Sequence, residues 1–294
     1  MSKGFPSESA RSADAVLLRE SQGRAVGSWH PGLVIITSPA NPLVKRIRKL
    51  ADRKQRRVEG VFVVDGIQPV WRAIDAGADI ETLVVAPELI EGSPAERMVA
   101  DFEASGGPVT RLGRAVFASI SEREGPSGVA AIVRQPARDL ADLSVGPESV
   151  FVALYEVANP GNLGTIIRTA DSFGVGGVLL VGPSADPYAP AAVKATMGSL
   201  FALPVVPVVD VDAMFDWATA AAVSTVATSA RGAETAPDVS FPKPLLALFG
   251  SEGGGLPSGV VDRSDLAVRI PMRGTASSLN LAVAAGIVLY LVTA

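Results

Sequence analysis

Short apolar runs alternating with stretches of helical period set the plan of this chain. Residues 61–64, 82–86, 109–112 and 129–133 are apolar runs bounded by turn residues, a pattern that predicts strands. Between them, residues 66–76, 94–104 and 115–121 predict helices. Just upstream, Leu43, Val44, Ile47 and Leu50 recur at helical spacing, so residues 41–60 predict a single amphipathic helix. Residues 136–148, with Pro136, Pro147 and several aspartates, read as a linker. Beyond it, strands are expected at 151–157, 224–227, 244–249 and 266–270, and the apolar stretch 279–294 predicts a buried or subunit-contacting helix. The pattern is that of an α/β protein with a smaller domain over 33–135 and a second over 149–294. A Ser-, Arg- and Gly-rich tail over 1–32 is expected to be flexible.

Composition narrows the chemistry. The 294 residues suffice for two separate cores, and 48% hydrophobic against 19% charged residues suits a globular chain. No cysteine is present, which removes disulfides, thiolate metal sites and cysteine nucleophiles together. The one histidine, His30, lies in the tail beside Pro31, so histidine triads and histidine-rich metal sites are not expected. Residues 1–31 lack the continuous apolar core of a secretory signal. The stretch 279–294 is interrupted by Asn280 and Gly286 and is shorter than the about 20 residues of a membrane span. A cytoplasmic protein without a membrane anchor is expected.

The net charge of −4 conceals a basic segment. Lys45, Arg46, Arg48, Lys49, Arg53, Lys54, Arg56 and Arg57 are opposed there only by Asp52 and Glu59. Such a cluster suits phosphate neutralisation, so these eight side chains are candidate nucleic-acid contacts.

Three Gly- and polar-rich blocks each follow a predicted strand: residues 159–169, 249–255 and 270–280. In a parallel α/β sheet, loops at strand carboxyl ends expose backbone groups to ligands, so the three blocks read as one site. Asn159-Pro160-Gly161-Asn162 is turn chemistry, with a helix expected from near Gly164 that places Arg168 on the face of Thr165 and Ser172. Arg168 there reads either as a surface ion pair or as an anion contact. Residues 250–255 lack the Lys-Ser/Thr ending of a phosphate loop and read equally as a ligand-hugging or a plain flexible loop. Ser277 or Ser278 is a natural N-cap for the last helix. Asn280, heading an otherwise apolar helix, is costly unless a loop or ligand satisfies it.

Taken together and in order, the blocks resemble the three motifs of the SpoU/TrmH family of RNA 2′-O-ribose methyltransferases, in the SPOUT superfamily. Residues 36–45 and 62–66 resemble that family's ribosomal-protein-like substrate-binding domain, so the likeness covers about residues 33–294. The resemblance implies a C-terminal parallel-sheet domain threaded into a deep trefoil knot, a homodimer, and S-adenosylmethionine as cofactor. It implies a catalytic cluster of Asn162, Arg168, Glu252, Ser278 and Asn280, with Arg168 acting on cofactor held largely by the partner subunit. It further implies a cofactor cleft around Thr228, Ser229, Ala230, Gly250, Ile270, Met272 and Leu279. The expected reaction is ribose 2′-O-methylation, with 23S ribosomal RNA the first expectation and transfer RNA the alternative. A silent RNA-binding relative and a base-nitrogen methyltransferase are the rivals. The absence of cysteine agrees with O-methylation, which needs no thiol nucleophile. A guanidinium stays protonated at neutral pH, which makes Arg168 an awkward general base and favours a positioning role, with base action assisted by a substrate phosphate as the alternative.

Overall fold

The computed structural model describes residues 34–121 and 125–294; the tail over 1–32, with His30, lies outside the described residues. Two sheets organise them. The first has strands β1 (Ile35–Ile36), β2 (Val61–Asp65), β3 (Ile80–Val85), β4 (Val109–Leu112) and β5 (Val129–Arg134). Its order is β1-β4-β3-β5-β2, with β5 antiparallel to both neighbours. Helices α1 (Pro42–Lys49), α2 (Arg53–Glu59), α3 (Ile67–Asp75), α4 (Pro87–Ile90), α5 (Pro94–Ala104) and α6 (Arg114–Ala118) complete this part.

The basic segment forms two helices, not the single one its periodicity predicts. Asp52 breaks it: its carboxylate accepts from the N–H groups of Lys54 and Gln55 at 2.7 and 3.1 Å and so starts a new helix. Leu50, left at the corner, is buried with Val44 and Ile47 against Val61 and Ile132.

The second sheet is entirely parallel, in the order β10-β12-β9-β11-β6-β7-β8. Its strands are β6 (Val150–Tyr155), β7 (Gly177–Val181), β8 (Val205–Val208), β9 (Ser224–Thr228), β10 (Glu234–Thr235), β11 (Leu245–Phe249) and β12 (Leu266–Arg269). The helices are α7 (Pro160–Ser172), α8 (Pro190–Thr196), α9 (Val211–Ala220), α10 (Ser258–Arg263) and α11 (Leu281–Thr293). Continuous apolar strands such as β7 and β11 are buried throughout, as a sheet covered on both faces requires. The segment read as a linker is partly core: Leu143 is buried against Phe151 and Leu179. A Cβ on Gly177 would stand 2.6 Å from the Leu143 side chain, so the strand leaves room for it.

The two sheets meet through specific contacts. The Phe62 ring of β2 lies 4.7 Å from Tyr188 and 6.2 Å from Phe201, centroid to centroid. Arg56 of α2 is 2% exposed. Its Nε and Nη2 donate to Asp186 Oδ2 at 3.0 and 2.7 Å, and its Nη1 donates to the carbonyls of Leu50 and Ala51. Burial, with the Asp186 carboxylate nearby, pushes the Tyr188 hydroxyl up to about 12.

Candidate active site

Strands β6, β11, β9 and β12 are neighbours and parallel, so the loops leaving their carboxyl ends gather at one edge of the sheet. The loop after β6 enters α7 through Asn159, whose Oδ1 accepts from the N–H groups of Gly161 and Asn162 at 2.8 and 3.1 Å. Pro160 follows at the first helical position, where no N–H is needed, so the helix starts earlier than expected from Gly164. Gly164 instead packs α7 onto α8: a Cβ there would stand 2.3 Å from the Ala192 carbonyl oxygen.

The loop after β11 closes on itself. The Gly255 N–H donates to the Ser251 carbonyl at 3.0 Å and the Gly254 N–H to Ser251 Oγ at 3.3 Å. A Cβ on Gly250 would stand 1.9 Å from the Gly255 backbone, so only glycine lets this turn close. The glycines therefore build a tight turn.

The loop after β12 is different. Residues 271–278 are exposed, and 271–279 make no backbone hydrogen bond among the described residues. The loop ends at Asn280, whose Oδ1 accepts from the N–H groups of Ala282 and Val283 at 2.9 and 3.3 Å. Asn280, rather than Ser277 or Ser278, is thus the N-cap of α11, because helical geometry begins only after it. This also resolves the polar cost of Asn280 at the head of an apolar helix.

A line of hydrogen bonds joins the three loops. Asn280 Nδ2 donates to Asn162 Oδ1 at 3.1 Å, and Asn162 Nδ2 donates to Glu252 Oε1 at 3.0 Å. Glu252 also accepts from the N–H groups of Ala158 and Asn159 at 3.1 and 3.2 Å. Partial burial works against its charge, but these donors outweigh it and hold the carboxyl below its usual range. Three of the five expected catalytic residues are thereby joined in one line through Asn162. Arg168 and Ser278 are exposed, and among the described residues no hydrogen bond joins either side chain to that line. The Arg168 guanidinium meets no carboxylate within ion-pair distance among the described residues, so the ion-pair alternative finds no partner among them. The hydroxyls of Thr165 and Ser172 on its face donate to the Gly161 and Arg168 carbonyls of their own helix.

Thr228, Ser229 and Ala230 lie at the end of β9. Thr228 Oγ1 donates to the Leu248 carbonyl at 2.8 Å, and the Ser229 N–H to the Val268 carbonyl at 2.9 Å. Gly250, Ile270, Met272 and Leu279 fall at the ends of β11 and β12 and before the α11 cap. Unpaired main-chain groups beside half-buried Ile270 and Leu279 and the exposed Met272 suit a ligand that combines a flat aromatic ring with polar ends.

The eight basic candidates divide. Lys45, Arg48, Lys49, Arg53, Lys54 and Arg57 are exposed. Arg56 is buried in its ion pair with Asp186, and Arg46, its side chain 30% exposed, is held between Glu59 and Glu81, so both brace the fold. Hydrogen bonding to Glu81 raises Arg46 above its ordinary value despite partial burial. Sequence reasoning missed Asn159 as a cap, although Asn before Pro is a helix-start signal. It also missed Asp186, for which nothing in the sequence signals a partner so distant.

Residues 149–290 match the SpoU rRNA Methylase family, and residues 41–131 match the MRM3-like substrate binding domain. The chain is 34% identical to the 23S rRNA (uridine(2479)-2′-O)-methyltransferase of Streptomyces viridochromogenes, over 82% of this chain and 85% of that one. It is 29% identical to the 23S rRNA (guanosine(2553)-2′-O)-methyltransferase of Bacillus subtilis, over 87% and 97%. Among solved structures, an AdoMet-bound rRNA methyltransferase from Sinorhizobium meliloti superimposes with a TM-score of 0.80 at 38% identity, covering 88% of this chain and 97% of that one. The SpoU methyltransferase AviRb from Streptomyces viridochromogenes, in complex with AdoMet, gives 0.78 at 32% identity, over 86% and 97%. This chain belongs to the SpoU methylase family.

Proposed function

We propose that this protein transfers a methyl group from S-adenosylmethionine to a ribose 2′-hydroxyl of 23S ribosomal RNA. The observation that carries this is the line Asn280–Asn162–Glu252, which fastens three strand-end loops into one site on the helix that also bears Arg168. S-adenosylmethionine supplies an electrophilic methyl group on a sulfonium. The main-chain groups of residues 271–279, with Gly250 and the turn at Thr228–Ala230, hold its polar ends, and Ile270, Met272 and Leu279 flank its ring. Glu252 keeps the loops in register and handles no proton. Arg168 binds the ribose or the adjacent phosphate and stabilises the oxyanion that forms as the 2′-hydroxyl loses its proton. Ser278, on the exposed loop, contacts the same ribose. Alignment of the oxygen with the methyl group can contribute about 7–11 kcal/mol of the barrier.

The working unit is a homodimer. Val283, Ile287 and Tyr290 form one stripe on α11, 52%, 37% and 60% exposed, and the Tyr290 ring meets Phe173 at the end of α7. A second copy on this stripe brings the Arg168-bearing helix toward the partner's cofactor. After β11 the chain crosses to β12 beyond β9 and returns as α11 against α7, a path that supports the trefoil knot. The six exposed basic residues of the first sheet region bind RNA phosphates, and the protein works in the cytoplasm, where ribosomal RNA is modified. No described helix is long and apolar enough to cross a membrane.

The test is to incubate the protein with 23S ribosomal RNA and methyl-labelled S-adenosylmethionine, then digest to nucleosides and analyse by mass spectrometry. One 2′-O-methylated nucleoside is expected, and its yield should collapse in Arg168→Ala. A label on a base, or no cofactor binding by calorimetry, would refute the proposal. A pH–rate series on Arg168→Lys completes it: near-normal turnover would end any essential role for the guanidinium.

A further inference from the structure

Residues 149–294 carry seven cationic side chains against eleven carboxylates, so acidic partners outnumber the cations there. Lys243 pairs with Glu148 and Arg263 with Asp212, while Arg269 donates to main-chain carbonyls. Of the other four, Lys194 lies on α8 and Arg168 on α7. Arg231 and Arg273 lie three residues beyond β9 and four beyond β12, on loops leaving neighbouring strands. Both are exposed, and neither meets a carboxylate within ion-pair distance among the described residues. Arg231 sits on a fixed turn. Ser229 Oγ accepts from the Arg231 N–H at 3.2 Å, and the Ser229 carbonyl accepts from the Gly232 N–H at 3.0 Å. The turn lies flat on β12, since a Cβ on Gly232 would stand 2.4 Å from the Val268 carbonyl carbon. Arg269 Nη1 clasps it from that strand, donating to the Gly232 and Ala233 carbonyls at 2.7 and 2.6 Å. Arg269 thus fixes the backbone that carries Arg231, and the same strand leads on to Arg273.

Resting on the RNA methyltransferase function above, we infer that Arg231 and Arg273 grip phosphates of the substrate RNA at the cofactor edge, on either side of the nucleotide that is methylated. A guanidinium on an ordered turn is pre-organised for an anion, and its planar fork matches phosphate oxygens bidentately. The ligand is a polyanion and not the single carboxylate of the cofactor, which one bidentate guanidinium would satisfy. The protein as a whole carries a net charge of −4 and repels a phosphate backbone, so the edge where the RNA must arrive needs its own cations. Leaving these arginines without acidic partners, in a region where carboxylates are in excess, keeps that charge available. The basic helices and these two arginines then hold the RNA at separate points. Contacts of this kind fix where the ribose sits and carry no preference for a base.

The experiment titrates the full-length protein, saturated with S-adenosylhomocysteine, with a 23S ribosomal RNA fragment by fluorescence anisotropy across a salt series. Arg231→Ala and Arg273→Ala should each weaken binding about tenfold, as loss of a hydrogen bond to a charged group does. Each should also lower the slope of log affinity against log salt by about 0.7–0.9. Arg231→Lys should keep the slope but not the full affinity, because an ammonium retains the charge and loses the fork. Lys243→Ala, just before β11 at the opposite end of the sheet, should leave the slope unchanged. Cofactor affinity by calorimetry and assembly mass by sedimentation should be the same in all four variants. Unchanged slopes in both arginine-to-alanine variants, or an equal loss in Lys243→Ala, would overturn the inference. So would a fall in S-adenosylhomocysteine affinity with RNA affinity kept, which marks a cofactor contact, or a loss of assembly mass, which marks a subunit contact. Binding is read without methyl transfer, so the two readings fail separately. Lowered slopes with a methyl label on a base refute the proposed ribose chemistry and leave this inference standing, and unchanged slopes with a 2′-O-methylated product do the reverse.

Discussion

Arg56→Met tests whether Arg56 is structural, apart from the exposed arginines proposed above to bind RNA. Arg56 and Asp186 have side chains only 3% and 12% exposed, and the guanidinium also caps the Leu50 and Ala51 carbonyls at 2.8 and 2.7 Å. Removing one partner of a buried pair costs about 3–5 kcal/mol, because the other charge stays desolvated and unpaired. Slight access of water to Asp186 places the expected cost at the lower end, about 3 kcal/mol. With a urea m-value of about 3 kcal/mol/M, the midpoint should fall by about 1 M, read by circular dichroism. Replacing both partners as Arg56→Met with Asp186→Asn should recover much of that loss, since the uncompensated carboxylate is gone. RNA affinity measured against salt should keep its slope in folded Arg56→Met. Lys54→Ala and Arg57→Ala, both at exposed positions, should each lower that slope by about 0.7–0.9 with stability unchanged. A cost below about 1 kcal/mol for Arg56→Met together with a reduced salt slope would refute this division.

Asn280→Asp keeps a good N-cap, so stability should hold within about 0.5 kcal/mol. It removes the Nδ2 donor to Asn162, so methyl transfer should fall about tenfold or more, and equal turnover would show that this link is dispensable. Glu252 has its folded carboxyl held below the unfolded value, so its stabilising contribution is complete above about pH 4.5 and is lost as pH falls through the folded value. The urea stability difference between wild type and Glu252→Gln should therefore be flat near neutrality and shrink below about pH 4.5, and a difference that grows on acidification would contradict the sign. Tyr290→Lys alters an exposed position, so each subunit should stay folded while sedimentation shows monomers; an unchanged dimer mass would place the subunit contact elsewhere.

Strands such as β11 were legible as apolar runs, and helix α5 falls on the residues its spacing predicts, whereas β7 and β8 were not predicted although β7 is as apolar a run as β11. What escaped depends on contacts between distant positions. An arginine in a basic run reads as solvated, and Arg56 becomes structural only through Asp186, 130 residues away. Leu143 is a single apolar side chain among Pro and Asp, and only the gap at Gly177 shows that it belongs to the core. Ser277, Ser278 and Asn280 have equivalent capping chemistry, so choosing among them required the backbone itself. In the candidate site the residues were legible as a set, but not their wiring. Asn162 reaches Glu252 across 90 residues and Asn280 across 118.

That wiring explains why a loop with no backbone hydrogen bonds can still serve a demanding alignment. Residues 271–279 are tied at both ends, to the sheet through β12 and to Asn162 through Asn280, and Asn162 is itself tied to the self-closed turn through Glu252. The loop's main-chain groups thus remain open to a ligand while its ends stay fixed, which lowers the entropy lost when cofactor binds. The same logic extends to the RNA side. The Arg56–Asp186 pair and the Phe62 ring between Tyr188 and Phe201 dock the basic helices against the segments that follow β7 and α8. Under the function proposed above, RNA held at Lys54 and Arg57 would meet helices already packed against those segments. Cutting the chain before Ser149 would strip Tyr188 and Phe201 of their cover and pull Leu143 from the core, so the second sheet depends on residues the linker reading assigned to neither domain.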